Sequence, residues 1–271
     1  AIEIRRLFGN SQLVQRMTLT RSGRRVTFDT WVDWHEQQKL LKTRFWTPVV
    51  TRTAAYDIAF GTIERSAYRN NSYDAARFEV PAHLWMDLSQ PDFGVSLLND
   101  CKYGHEAFDG MMALSLLRGP LNPDPESDQE EHCFSYALFP HAHTWREAAT
   151  IHEALDLNVP ATVVLARPSE GALPAEKSFV TVEAQGVTLE CIKKCEEDDR
   201  TIVRVVERRG AREAVTLRFA AGIAEAAEVN LIEREPTPID TNGNCLDIEI
   251  QPYEIRTFAV RFRQSEKPAS H

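Results

Sequence analysis

Two apolar segments end in polar groups of the kind that line a pocket. Leu97-Leu98 runs into Asn99-Asp100, and Leu116-Leu117 runs into Arg118. A strand that delivers a charge at its end places it on a rim, where pockets form. Arg118 offers a planar fork of donors suited to a carboxylate or to sugar hydroxyls. The alternative is a rim salt bridge between Arg118 and Asp100. Acidic residues concentrate downstream in Asp124-Pro-Glu-Ser-Asp-Gln-Glu-Glu131. A calcium loop needs Gly at its sixth position and Glu at its twelfth, and Gln129 and Ser135 stand there instead. Paired carboxylates hydrolyse glycosides according to their separation, which a sequence does not give. A solvated loop is the simpler reading of this run.

His141-Ala142-His143 share a face if extended, and His132 is close in sequence. Three such ligands plus water would make a catalytic zinc site; the alternative is packing or capping before a helix. Cys191 and Cys195 form the one cysteine spacing that hints at metal, without a second pair nearby. With Cys101, Cys133 and Cys245 they make an odd, scattered set, which argues against a disulfide framework and for a reducing compartment. No G-x-S-x-G elbow, P-loop or dinucleotide glycine fingerprint occurs. The motifs therefore supply no complete catalytic constellation.

The elements that position these groups read as strands. Val26, Phe28, Thr30, Val32 and Trp34 alternate onto one face. Further strands are predicted at 56–64, 94–98, 111–118 and 133–139, with Phe134, Tyr136 and Leu138 sharing a face. Beyond residue 176 they follow at 179–183, 187–192, 201–207, 214–220, 228–233, 246–250 and 255–262. Short strands at regular spacing are the pattern of a sandwich. One helix is predicted over Trp145–Asp156, with Trp145, Ala148, Ala149, His152 and Leu155 on its apolar stripe, as a crossover on a sheet rim. Arg167-Pro-Ser-Glu-Gly-Ala-Leu-Pro174 breaks the pattern. The expected organisation is a large β domain at 1–166, a linker at 167–176, a small sandwich at 177–262 and a solvated tail at 263–271.

The chain has 271 residues, 43% of them hydrophobic, and a net charge of −9. A chain of this length buries roughly three quarters of its surface on folding, enough for one large core or two modest ones. The acidic balance argues against unaided binding to nucleic acid or anionic lipid. No run approaches the ~18 apolar residues of a membrane span. The sequence begins Ala1-Ile2-Glu3 without an initiator Met, as expected of a processed protein or a piece of a longer one.

One stretch is more specific than composition. Phe78-Glu-Val-Pro-Ala-His83 through Asn99-Asp-Cys-Lys-Tyr-Gly104, then Leu116-Leu-Arg-Gly-Pro120 through Asp128-Gln129, resemble the C-terminal half of the α-mannosidases of glycoside hydrolase family 38. Tyr136-Ala-Leu-Phe-Pro-His141, Trp145-Arg-Glu-Ala148 and Ile250-Gln-Pro-Tyr-Glu-Ile-Arg-Thr-Phe258 extend the resemblance, which is nearest to the bacterial and cytosolic branch. It implies an all-β fold, a large galactose-mutarotase-like supersandwich followed by a smaller sandwich. It also implies a retaining, zinc-dependent α-mannosidase whose nucleophile and zinc belong to an N-terminal domain of the same polypeptide. No stretch of this sequence matches that domain's motifs. The family places an Arg of the large β domain at the sugar cleft, a position matched by Arg118. Asp100, Asp128 and Gln129 match motif positions without an assigned role. The implied partners are an α-mannoside and the catalytic domain, with a cytoplasmic location, no nucleic acid or membrane, and possible homo-oligomers. Two other classes stay open: a non-catalytic carbohydrate-binding or assembly module, and a free-standing mutarotase-like epimerase with His83 or His132 beside a carboxylate.

Overall fold

The computed structural model describes residues 1–167, 171 and 174–263. The expected tail lies almost wholly outside the described residues, as does part of the expected linker. The chain divides into two compact units, Ala1–Val163 and Val164–His271.

The first unit runs β1 (Ile2–Phe8), β2 (Ser11–Leu19), β3 (Val26–Asp33), β4 (Leu40–Trp46), β5 (Thr53–Ile58), β6 (Gly61–Ser66) and α1 (Ser72–Ala75). It continues β7 (Val80–Pro81), β8 (Trp85–Ser89), β9 (Phe93–Asn99), β10 (Gly104–Phe108), β11 (Met111–Arg118), β12 (Glu131–Ala142) and α2 (Thr150–Asn158). Eight strands form one sheet in the order β1-β2-β3-β12-β9-β8-β5-β6, and four form a second in the order β4-β11-β10-β7. The strand pairs are antiparallel, which suits short connections. The alternation expected at β3 is present: Phe28, Thr30, Val32 and Trp34 are buried in the core with Tyr56, Met86, Leu97, Met112, Leu114, Phe134 and Tyr136.

Strands β8, β9 and β12 are buried on both faces, and their sequences are correspondingly apolar. Met86, Leu88 and Leu97 face the inner core, while Trp85, Leu98, Ala137 and Phe139 pack outward against Trp145, Ile151 and Ala154. The helix therefore covers the outer face of β8 and β9 rather than lying on a rim. It also starts later than expected. Thr144 accepts from the backbone of Glu147 and Ala148 and donates to the Glu147 carboxylate, closing a turn before α2 begins at Thr150. That shift exposes His152 and leaves Ile151 and Ala154 on the buried stripe.

Two strand expectations are also corrected. The stretch 56–64 is a hairpin, not one strand: β5 and β6 pair Ile58 with Gly61 around Ala59-Phe60. Phe60, the second turn residue, takes a positive φ of 54° without being the Asn or Gly that usually marks such a turn. The strand expected at 228–233 ends at Val229, because the Asn230 side chain accepts from the Ile232 and Arg234 backbone and turns the chain.

The second unit comprises β13 (Val180–Glu183), β14 (Val187–Lys194), β15 (Thr201–Glu207), β16 (Glu213–Phe219), β17 (Ile223–Val229), β18 (Thr237–Pro238), β19 (Cys245–Ile250) and β20 (Ile255–Phe262). The sheets β13-β16-β19 and β14-β15-β20-β17-β18 enclose Val203, Val205, Leu217, Phe219, Leu246, Phe258 and Val260. This is a small β-sandwich.

Under α2 lies a buried polar chain. The Asp87 carboxylate accepts from Ser96 at 2.7 Å and pairs with His141 Nε2 at 2.8 Å, while Ser96 and Thr150 share a hydroxyl hydrogen bond of 2.8 Å. Burial works against a charged imidazole, but the hydrogen bond and charge of Asp87 outweigh it and leave the His141 pKa above its usual 6.5. The folded state thus holds a proton that the unfolded chain releases. This stabilisation is complete below pH 6.5 and is lost as the pH rises through the folded pKa. Removing one partner of a buried pair costs about 3–5 kcal/mol, so Asp87→Ala should lower stability by that order at acidic pH. Thermal unfolding from about pH 6 to about pH 9 should show the gap between wild type and variant narrowing. A gap that stays constant across this range rules the charged pair out.

Candidate functional site

Arg118 is the last residue of β11, opposite Leu40 of β4. A bulge between Ser115 and Leu117 re-phases β11 so that Leu116 and Leu117 are both buried while Arg118 is exposed. Among the described residues Arg118 forms no ion pair, so the expected alternative of a bridge to Asp100 is absent. Its guanidinium borders an open depression of about 540 Å³ with Gln38, Lys39, Leu40, Glu79, Gly119 and Leu121.

Next to Lys39 and Gly119 of that rim lies Glu36, on the segment between β3 and β4. Its buried carboxylate accepts from the Asn10 backbone at 2.7 Å and from the Ser11 hydroxyl at 3.1 Å, and it pairs with the Lys39 ammonium. The Lys39 hydrogen bond, followed by the Asn10 amide, holds the Glu36 carboxyl below the usual carboxylate range. Two glycines make room for this arrangement. A Cβ on Gly9, whose φ is +57°, would lie 2.0 Å from Glu36 Oε1, and one on Gly119 would lie 1.9 Å from the Glu36 carbonyl oxygen. The Gly119 amide donates to the Lys39 carbonyl at 2.9 Å, and the Gly119 carbonyl accepts from Gln38 at 2.6 Å. The segment after Arg118 is thus stapled to the β3–β4 connection on both sides of its peptide.

A carboxylate of opposite character stands across the depression. Burial pushes the Glu79 carboxyl up, but hydrogen bonds from Lys42 and Ser115 outweigh it and keep its pKa low. Lys42 lies 2.8 Å from Glu79. An anchored carboxylate and an unpaired guanidinium on one rim can together grip a polyhydroxylated ligand.

Residues 1–126 match the model described as the glycosyl hydrolases family 38 C-terminal domain, and residues 186–258 match the glycosyl hydrolases family 38 C-terminal beta sandwich domain. The chain belongs to the C-terminal region of glycosyl hydrolase family 38. It is 38% identical over 257 residues to Alpha-mannosidase 2C1 of Mus musculus, covering 93% of this chain and 24% of that protein. Its identity to Alpha-mannosidase G of Dictyostelium discoideum is 37% over 256 residues, covering 92% of this chain and 23% of that one. The chain therefore spans about a quarter of the length of these relatives. The crystal structure of an alpha-mannosidase from Enterococcus faecalis V583 superposes with a TM-score of 0.79 at 21% identity, over 93% of this chain and 29% of that chain. That likeness is one of fold.

In this family 38 region the other motif residues take separate places. Asp100 follows β9 and is bound to β12: its carboxylate accepts from the Ser135 amide at 2.7 Å and its own amide donates to the Ser135 carbonyl at 3.2 Å. Asp128 and Gln129 lie on the loop between β11 and β12. The Asp128 carbonyl accepts from His132 Nε2 at 2.8 Å, and the Gln129 side chain donates to the Pro125 carbonyl at 3.0 Å. None of the three lines the depression beside Arg118. The sequence motif missed Gln38, Lys39 and Glu79, which do; only the unusual Gly119 after a strand-end Arg hinted at a close approach.

The histidines diverge. His141 turns inward to Asp87, His132 meets the Asp128 carbonyl, and exposed His143 lies 3.4 Å from the Pro91 carbonyl. His83 packs its ring edge-on to Tyr103 rather than against a carboxylate. Among the described residues no group of three His, Cys, Asp or Glu side chains is placed to hold a metal ion. The five cysteines are free, and among the described residues no helix is long and apolar enough to cross a membrane.

If Glu36 is the staple described here, Glu36→Ala frees the amides it and its neighbours fix. Hydrogen exchange should accelerate at Asn10, Gln38 and Gly119 while the β15 amides stay protected. Unchanged exchange at Gly119 would show that the rim is held by other means.

Proposed function

We propose that this chain is the non-catalytic C-terminal β portion of a retaining α-mannosidase, acting as scaffold and contributing Arg118 to the sugar cleft. The observation that carries the proposal is an exposed guanidinium without an ion-pair partner, fixed at a strand end over an open depression. An Arg otherwise idle on a rigid rim is poised to donate two in-plane hydrogen bonds to vicinal hydroxyls. The relatives named as alpha-mannosidases, each about four times longer, support the same reading.

The nucleophile, and the zinc that the resemblance implies, would come from the preceding catalytic domain of the same polypeptide, with a cytoplasmic location following the cytosolic branch. Among the described residues no side-chain group fits a metal ion. The contribution of this chain is then binding and orientation: Arg118 holds hydroxyls of the substrate, Glu79 completes the rim, and the Glu36 staple keeps both in register. Asp100, Asp128 and Gln129 serve in this reading as supports of the loops that border the cleft. The mutarotase-like reading draws no support from His83 or His132, because neither faces a carboxylate.

The isolated chain supplied with zinc should not turn over an aryl α-mannoside; robust turnover ends the proposal. In the intact polypeptide, Arg118→Met should lower kcat/KM by roughly 10- to 100-fold, the loss of a charge-assisted hydrogen bond of about 1.5–3 kcal/mol. An unchanged kcat/KM would leave Arg118 without a role in binding.

A further inference from the structure

A second cluster of guanidinium groups lies away from the Arg118 rim. Arg65 at the end of β6, with Arg69 and Arg77 on the β6–β7 connection, lines a small, partly open cavity together with Tyr56, His105 and Glu106. The cavity volume is about 20 Å³, room for one particle of about the size of a water molecule.

The charges around it do not cancel. Arg69 is neutralised by Glu106 at 2.6 Å and Arg77 by Asp74 at 3.3 Å, whereas Arg65 forms no ion pair among the described residues. Arg65 Nη1 is buried without a hydrogen-bond partner. Its guanidinium carbon lies 4.8 Å from the centre of the Tyr56 ring. A ring face attracts the cation but accepts none of its in-plane N–H groups, so that contact leaves Nη1 unsatisfied. Burial lowers the Arg65 pKa, as befits a desolvated charge without a counter-charge. His105, driven down to about 4 by burial, adds no positive charge near neutral pH.

The neighbouring acceptors are already engaged. Glu106 Oε1 takes Arg69 at 2.6 Å and Oε2 takes Lys42 at 2.6 Å. Asp74 Oδ1 takes Arg77 at 3.3 Å and Oδ2 takes the Asn71 amide at 2.7 Å. A water molecule here could accept from Arg65 and donate to a remaining lone pair of these carboxylates, but it would leave the Arg65 charge without a counter-charge. A species that accepts a hydrogen bond and carries one negative charge meets both the orphaned Nη1 and the uncompensated charge of Arg65, and the volume suits a single atom. We propose that the Arg65–Arg69–Arg77 cavity of the first unit binds a halide ion, chloride under physiological conditions, which ties the β6–β7 connection to the sheets.

The test compares thermal unfolding of the 271-residue chain in sodium chloride and in sodium gluconate at equal ionic strength. Chloride should raise the melting temperature of the first unit saturably, by a few degrees, and bromide should substitute for it. Arg65→Met keeps the packing on Tyr56 and should abolish the response. Crystals of the unaltered chain grown in bromide provide a readout that does not depend on the variant folding, with an anomalous peak expected within hydrogen-bond distance of Arg65 Nη1. Superimposable chloride and gluconate curves, a response that survives Arg65→Met, stabilisation by phosphate but not chloride, or an ordered water without anomalous signal would each overturn the assignment.

Discussion

A single buried carboxylate organises the business end of the first unit. Glu36 joins the turn between β1 and β2 to the connection between β3 and β4, whose Gln38 and Lys39 backbone in turn holds the residue that follows Arg118. A carboxylate can be kept out of water only if its oxygens are satisfied, and here backbone amide, hydroxyl and ammonium do so together. Because Asn10 and Ser11 lie on one segment and Lys39 on another, satisfying one charge joins the β1–β2 turn to the β3–β4 connection. The depression beside Arg118 owes its shape to that requirement.

Buried hydrogen bonding also helps the large sheet accept a helix on its back. Strands buried on both faces leave no solvent for Asp87, Ser96 and His141, so these side chains bond one another and the first residue of α2. Gly94 belongs to that solution, since a Cβ there would stand 2.5 Å from the His141 ring. The helix is docked by polar contacts as well as by Trp145, Ile151 and Ala154.

Much of the fold was legible in the sequence because alternation is a direct record of two-faced strands. β3, β16 and β19 show it openly, and their burial follows. The failures have local causes. The β5–β6 turn is built from Ala59 and Phe60, which carry none of the usual turn chemistry, and α2 is delayed by a Thr144–Glu147 turn that reads like helix. The site was legible only in part. Arg118 announced itself as a charge after two leucines, but Glu79, Gln38 and Lys39 reach the same rim from distant segments, and periodicity holds no information about that convergence. Asp100, with the same strand-end signature as Arg118, is consumed by the Ser135 backbone. A polar residue at a strand end is therefore ambiguous until its neighbours are known.

The loop between β11 and β12 is tethered at its two ends. Gly119 is bonded to Gln38 and Lys39, and the Glu130 carbonyl receives the Trp34 amide. Between these anchors the segment 121–129 is largely exposed and bonded mostly within itself. Its length and composition can drift over generations without moving the guanidinium that precedes it. The architecture thus separates a fixed strand-end guanidinium from a border that can vary while the strands beneath stay the same.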